Sequence, residues 1–135
     1  MIALLADVNI EGQAARLVSL MRSAEWRDFW DYLQVRALRF ADVGLAADET
    51  DATVWQFCQQ NDIYLVTSNR NDDGPDSLAA TIPAHNRATS VPVFTLADAD
   101  RILHSKDYAV RVVESPFDHL LRIDSIRGTG RLFLP

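Results

Sequence analysis

Apolar residues along the chain form short continuous runs that are separated by stretches with a helical repeat. The run Ile2–Ala6 is wholly apolar and ends at Asp7, which is typical of a strand buried on both faces. Further strands are predicted at residues 35–40, 63–67 and 91–94. Because Pro92 cannot donate a ladder hydrogen bond, the last of these strands should lie at a sheet edge or begin at that point.

Helices are predicted between these runs, because apolar residues recur there at spacings of three and four. The first two cover residues 14–21 and 26–33, and the next begins at Thr50 or Asp51 and ends near residue 60. Later helices are predicted over residues 75–83, 96–103, 106–114 and from Pro116 onwards, followed by an irregular tail over 127–135. This alternation predicts a three-layer α/β/α fold with a mostly parallel sheet of about four strands.

Length and composition fit a single domain over residues 1–135, with 48% hydrophobic and 24% charged residues. No stretch is apolar enough to span a membrane, and the amino terminus lacks the basic start of a signal peptide. The one cysteine, Cys58, cannot form an internal disulfide, so a cytoplasmic location is expected. A net charge of −6 disfavours broad electrostatic attachment to nucleic acid.

Polar side chains with oxygen atoms follow the predicted strands. Asp7 and Asn9 come after the first strand, and Asp51 opens a helix. After the strand at residues 63–67 stand Thr67, Ser68, Asn69, Arg70, Asn71, Asp72 and Asp73. Because the carboxyl ends of parallel strands meet at one edge, these side chains are expected to converge on one crevice.

Carboxylates gathered with only Arg70 for compensation would repel one another unless their pKa values rose or a hard cation joined them. Mg²⁺ and Mn²⁺ are the cations that carboxylate and amide oxygens suit. Such a metal can polarise a phosphoryl oxygen and activate water. The sequence therefore predicts metal-dependent phosphodiester hydrolysis.

Each of these residues also has a purely structural interpretation. Asp7 could be a turn residue whose carboxylate accepts backbone N–H groups, and Asp51 could serve only to cap its helix. The string of residues 69–73 has the composition of a turn, and Asp48 and Glu49 are expected to be solvated. Basic residues near the carboxyl terminus could form a rim for a polyanion: Arg122, Arg127 and Arg131.

The order and spacing of three segments resemble the PIN-like nuclease superfamily, especially its short uncharacterised bacterial members. These segments are LLADVN at residues 4–9, GLAADETDATVW at 44–55 and YLVTSNRND at 64–72. Some proteins of this kind look like toxins of toxin–antitoxin pairs. The resemblance covers most of residues 2–73 and implies a PIN-like domain with ribonuclease activity that depends on Mg²⁺ or Mn²⁺.

The resemblance also implies roles for individual residues. It implies that Asp7, Asp51 and Asp72 are catalytic, and that Asp7, Asp51, Asn69 and Asp73 bind the metal. The residues expected to contact substrate are Asn9, Thr67, Ser68, Arg70 and Asn71. RNA is the expected substrate, and the expected partners are an antitoxin-like or other protein, or a second copy of the chain.

The chain departs from the family pattern at Val8, Asn69 and Asn71, where the family carries acids. An amide can ligate a metal but brings no charge. The alternative function is therefore a catalytically degenerate PIN-like module that binds RNA or a protein partner. A third interpretation is an interaction subunit that exposes aromatic residues of the helix at 26–33.

Two other α/β classes with an Asp after the first strand fit less well. Phosphatases similar to haloacid dehalogenases need a second Asp two residues later, where Asn9 stands. A response-regulator receiver would need an acidic pair after the first strand and a Lys near the last one. Neither of these features is present in the sequence.

Overall fold

The computed structural model describes residues 1–70 and 74–135, and its centre is a sheet of five parallel strands. The strands lie in the order β2-β1-β3-β4-β5. In chain order they are β1 (Ile2–Ala6), β2 (Val35–Leu38), β3 (Ile63–Thr67), β4 (Val93–Leu96) and β5 (Arg131–Leu134). The predicted α/β architecture with a parallel sheet is confirmed.

Helices connect the strands and cover both faces of the sheet. A short 3-10 helix, Val8–Ile10, follows β1 directly. The α-helices are α1 (Glu11–Met21), α2 (Arg27–Leu33), α3 (Phe40–Val43), α4 (Asp51–Gln60), α5 (Leu78–His85), α6 (Ala99–His104), α7 (Lys106–Leu120) and α8 (Ile123–Ile126). Among the described residues, none of these helices has the length and apolar character needed to cross a membrane.

The core has two halves because successive strand residues point to opposite faces of a sheet. Leu4 of β1 belongs to the half covered by α1, α6 and α7, with Phe94 and Val113. Leu5, the next residue, belongs to the half covered by α4 and α5, with Cys58. A continuous apolar run such as β1 therefore supplies both halves at once, as expected for a strand buried on both faces.

The aromatic residues of α2 divide between packing and exposure. Trp26, the residue just before this helix, stacks on Phe117 of α7 with ring centroids 5.5 Å apart. Phe29 is 39% exposed and Tyr32 is 78% exposed. The helix is therefore anchored at its start and leaves two aromatic side chains accessible.

The prediction of an irregular tail was wrong, because Arg131–Leu134 forms β5 beside β4. A run of four residues next to Gly128 and Gly130 is too short to predict a strand from its own sequence. Pairing with β4 holds these residues in an extended conformation instead. The sheet accordingly has five strands rather than about four, and β4 lies inside it. Of the two positions expected for Pro92, the second is found, because β4 begins just after it.

Three helix boundaries also differ from the prediction. Helix α7 continues through Pro116, whose ring lies buried with Phe117 on the packed face, so packing offsets the lost backbone hydrogen bond. Helix α6 begins at Ala99 rather than Leu96, because Leu96 is still paired within the sheet. Helix α5 begins after the Ser77 cap rather than at Pro75, and it contains Pro83.

Candidate functional site

The crevice between β1 and β3 is the point where the connections diverge, since the chain passes from β1 to β2 on one side and then to β3 on the other. Ligands of open parallel sheets bind beyond the carboxyl ends of the strands at such a point. Ala6 pairs with Val66, and the Asp7 N–H donates to the Val66 carbonyl at 2.9 Å. Asp7 and Thr67 are thereby placed side by side at this edge.

A hydroxyl group orients the first carboxylate. Thr67 is fully buried, and its Oγ1 donates to Asp7 Oδ2 at 2.6 Å. The same oxygen accepts the Asn69 N–H at 3.0 Å. Asp7 Oδ1 also accepts the Asn9 N–H at 3.4 Å, so the turn interpretation of Asp7 describes part of its bonding. The Thr67 bond is the shorter one, and it connects Asp7 to the loop after β3.

The second carboxylate reaches the same loop from α4. Thr50 caps this helix by accepting the Thr53 N–H at 3.1 Å, so Asp51 is not the cap. Asn69 Nδ2 donates to Asp51 Oδ2 at 2.8 Å. Asp7 and Asp51 are therefore joined through Thr67 and Asn69, in one hydrogen-bonded chain that spans residues far apart in sequence.

A small cavity of about 60 Å³ lies between these carboxylates. Asp7, Asn9 and Asp51 line it together with Glu49, above apolar side chains that include Leu65. Glu49 is half-buried, although its position in the sequence predicts a solvated side chain. Its place beside Asp51 could have been suspected from the run Asp48-Glu49 just before the helix.

Arg131 supplies a positive charge to the site from β5, the strand at one edge of the sheet. Its Nη1 donates to the Asn69 carbonyl at 2.7 Å and to Thr95 Oγ1 at 3.0 Å. Burial lowers the pKa of the Arg131 guanidinium from its ordinary value, the charge of Asp51 opposes that shift, and Arg70 adds to it. Arginine nevertheless keeps its proton at neutral pH. The loop that holds Asn69 is thus fixed by a permanent cation.

The other two members of the predicted basic rim lie elsewhere. Arg122 pairs with Asp118 at 2.6 Å within the carboxyl-terminal helices. Arg127 pairs at 3.1 Å with Asp62, which precedes β3 and so lies at the opposite edge of the sheet. The expectation of a shared basic rim was therefore wrong, because β5 carries Arg131 alone into the site.

The remaining predicted residues are distributed around the crevice. Asn9 is exposed at its margin, and Ser68 is half-buried between Thr67 and Asn69. Arg70 is exposed, and its Nη2 donates to the Ala97 carbonyl at 3.2 Å. The last three predicted residues lie outside the described part of the chain: Asn71, Asp72 and Asp73.

A divalent cation needs several oxygen ligands at short distance. Within residues 1–70 and 74–135, no three side chains of His, Cys, Asp or Glu are arranged to hold a metal ion. Mg²⁺ commonly takes one or two carboxylates and completes its shell with water and substrate phosphate. Asp7 and Asp51 supply the two carboxylates of that smaller requirement, while Asn69 presents its NH2 group to Asp51.

The fold and site together define an α/β protein with a polar crevice built from three carboxylates, a threonine, an asparagine and an arginine. Comparison of the chain with known protein families, characterised proteins and solved structures gave no significant match.

Proposed function

We propose that the protein is a metal-dependent, PIN-like ribonuclease that hydrolyses phosphodiester bonds, in a toxin-like role. The observation that carries the proposal is the meeting of Asp7 and Asp51 in one hydrogen-bonded site at the β1–β3 crevice. Two carboxylates at this position suit a hard divalent cation and a phosphate better than an apolar ligand. Mg²⁺ or Mn²⁺ is the proposed cofactor.

The cation, when bound, would supply Lewis-acid polarisation of a phosphoryl oxygen and a more acidic water. Asp7 and Asp51 would provide its charged ligands. Asn69 would contribute its amide oxygen once the amide group turns, because its NH2 group donates to Asp51 in this structure. Thr67 holds the Asp7 carboxylate in place through the 2.6 Å bond. Arg131 fixes the Asn69 backbone, so the loop presents its side chain to Asp51.

The sequence-based roles of the neighbouring residues form part of the same proposal. Asp72 would act in catalysis and Asp73 in metal binding. The residues proposed to contact RNA are Asn9, Ser68, Arg70 and Asn71. The expectation that Thr67 also contacts substrate is not kept, because its side chain is fully buried and its hydroxyl orients Asp7. A cytoplasmic location is proposed as well, in keeping with a free and buried Cys58.

The decisive experiment measures cleavage of labelled single-stranded RNA by the wild-type protein with Mg²⁺, with Mn²⁺ and with EDTA. Asp7→Asn and Asp51→Asn keep the side-chain shape and remove one charge each. We expect metal-dependent cleavage that EDTA abolishes, and a loss of at least about 100-fold in each variant. Circular dichroism and thermal melting establish that the variants are folded.

Asp31→Asn serves as the matched control, because Asp31 is an exposed residue of α2, which leads into the start of β2 and so lies away from the crevice. This variant should cleave RNA as fast as the wild type. Absence of cleavage by the wild type, or equal cleavage by Asp7→Asn, would contradict the proposal.

The second candidate is a degenerate PIN-like module that binds RNA or a protein without cleaving. Asn69 favours it, because this amide occupies a position where the family has an acid and already donates to Asp51. Fluorescence anisotropy with the same RNA separates the two candidates. Saturable binding without cleavage at any metal concentration would support the module.

A protein partner or a second copy of the chain is proposed to contact α2. Tyr32 and Phe29 are the observation behind this proposal, since they are 78% and 39% exposed on one short helix. Sedimentation of the wild type and of Tyr32→Ser checks self-association directly. A wild type that sediments as a monomer at every concentration would exclude the second copy.

A further inference from the structure

A second cavity, unrelated to the carboxylate crevice, lies between α1 and the sheet. It has a volume of about 220 Å³ and is bounded by side chains of α1, β1, β2 and α7. Leu4 and Ala6 of β1 form part of its wall, and they point to the face opposite Leu5. The cavity therefore lies on the other side of the sheet from Asp51 and α4.

Small side chains create this space. Ala14 and Ala15 on α1 and Ala37 on β2 line the cavity with short side chains. Leu17 and Val113 complete an apolar wall without hydrogen-bonding groups. For comparison, an apolar cavity of about 150 Å³ is large enough to stay dry and to bind benzene.

The polar groups of the cavity lie at its mouth. Arg39 and Asp42 are paired there, by a 3.5 Å ion pair and by a 2.8 Å hydrogen bond from the Arg39 N–H to Asp42 Oδ2. The half-buried Glu11 has no ion pair or side-chain hydrogen bond with any residue in the described ranges. The three mouth residues sum to a charge of −1, which disfavours an anionic ligand.

We propose that this cavity binds a small molecule with an apolar body and a single cationic end, the body inside and the cation beside Glu11. An aromatic ring system with a short alkylamine has this form. The burial of the ring would provide most of the affinity, and Glu11 would select the charge. The proposal stands apart from RNA cleavage, since neither Asp7 nor Asp51 takes part.

The test uses calorimetric titration of the full chain with tryptamine, and with indole-3-propionate, which has the same ring and an anionic end. We expect saturable binding of tryptamine at least about tenfold tighter than binding of the anion. Glu11→Gln should reduce that preference without removing binding. Equal affinity for the two probes, or no saturable binding of tryptamine, would overturn the proposal.

Filling the cavity provides an independent check of the location. Ala14→Leu should weaken the binding of tryptamine at least about tenfold. Ser19→Leu places the same side chain on the exposed face of α1, so this variant should bind tryptamine as tightly as the wild type does. Ala37→Leu, at the accessible β2 wall, takes the place of Ala14→Leu if that variant fails to fold. Undiminished binding in a folded cavity-filling variant would refute the assignment.

Discussion

The hydrogen bonds of single residues set the character of the candidate site. The Thr67 hydroxyl donates to Asp7 and accepts the Asn69 backbone N–H, so its proton points to the Asp7 carboxylate. Arg131 completes the set by donating to the Asn69 carbonyl. The half-buried Arg131 makes no direct ion pair, but its charge interacts favourably with that of Asp51, so the crevice is less repulsive than its acids alone would make it.

Arg131→Met tests this role of the cation. Methionine keeps the apolar length but leaves the Asn69 carbonyl and the Thr95 hydroxyl without their donor. We expect a loss of about 1–3 kcal/mol in the free energy of unfolding, measured by urea denaturation, together with a fall in RNA cleavage.

Arg127→Met is the control for that substitution. Arg127 pairs with the exposed Asp62 at the opposite edge of the sheet. Its removal should cost under about 1 kcal/mol and leave cleavage unchanged. Identical effects of the two substitutions on stability and cleavage would show that Arg131 has no special role in the site.

At the scale of elements, helix α4 and the loop after β3 bring the two carboxylates together. The helix runs antiparallel to β3, so its first residue lies at the same edge as the end of that strand. The Ala52 N–H also donates to the Asp76 carbonyl at 3.0 Å, which ties the helix start to the loop before α5. The position of Asp51 therefore depends on where α4 begins.

Thr50→Ala removes the cap that defines this start. We expect a loss of about 1 kcal/mol in stability, because the Thr53 N–H loses its acceptor, and a measurable fall in RNA cleavage as Asp51 becomes less well positioned. Thermal melting and the cleavage assay provide the two measurements.

Ser105→Ala is the matched control, since Ser105 caps α7 by accepting the Tyr108 N–H at 3.2 Å. It should cost a similar amount of stability and leave cleavage unchanged. If both substitutions reduced cleavage equally, the effect would reflect general destabilisation rather than the position of Asp51.

At the scale of the whole molecule, one ionisable side chain in each half of the core, Cys58 and Tyr64, should make stability depend on alkaline pH. Burial raises the pKa of the Cys58 thiol from 9.0 to about 12. Burial likewise raises the pKa of Tyr64, in the other half of the core, from 10.0 to about 12. Both groups are therefore held neutral by the fold over a range in which the unfolded chain would ionise.

The direction of the pH effect follows from that difference. The unfolded chain loses the thiol proton from about pH 9 upwards, whereas the folded chain keeps it until about pH 12. The stabilisation from the neutral Cys58 thiol is complete below pH 9 and is lost progressively between pH 9 and pH 12. The loss in the free energy of unfolding reaches about 4 kcal/mol at the alkaline end.

Thermal melting between pH 8 and pH 11 should show a steeper decline in the wild type than in Cys58→Ala. Removal of the thiol also makes a small cavity, so the variant should be less stable at pH 8, and the comparison rests on the slope. Parallel declines in the two proteins would rule out ionisation of Cys58 as a cause.

Thiol-specific reagents should react with native Cys58 only slowly at pH 8.

The sequence by itself determined the alternation of strands and helices and the position of Asp7 at a strand end. The apolar runs and helical spacings of a segment show which of its own positions are buried. β1, β3 and α4 could therefore be recognised without knowing which segments pack against them. Asp51, Thr67 and Asn69 were also recognisable, because each follows or opens such an element. The boundary near Pro116 was not, since packing of the α7 face outweighed the local preference of proline.

Only the tertiary structure decided which polar groups meet. The strand β5 exists because it pairs with β4, and that pairing carries Arg131 to Asn69 across 62 positions of sequence. Glu49 joined the small cavity for a similar reason, since the loop before α4 folds over the end of β1. Contacts of this kind depend on the packing of distant segments, and local sequence patterns carry no record of them.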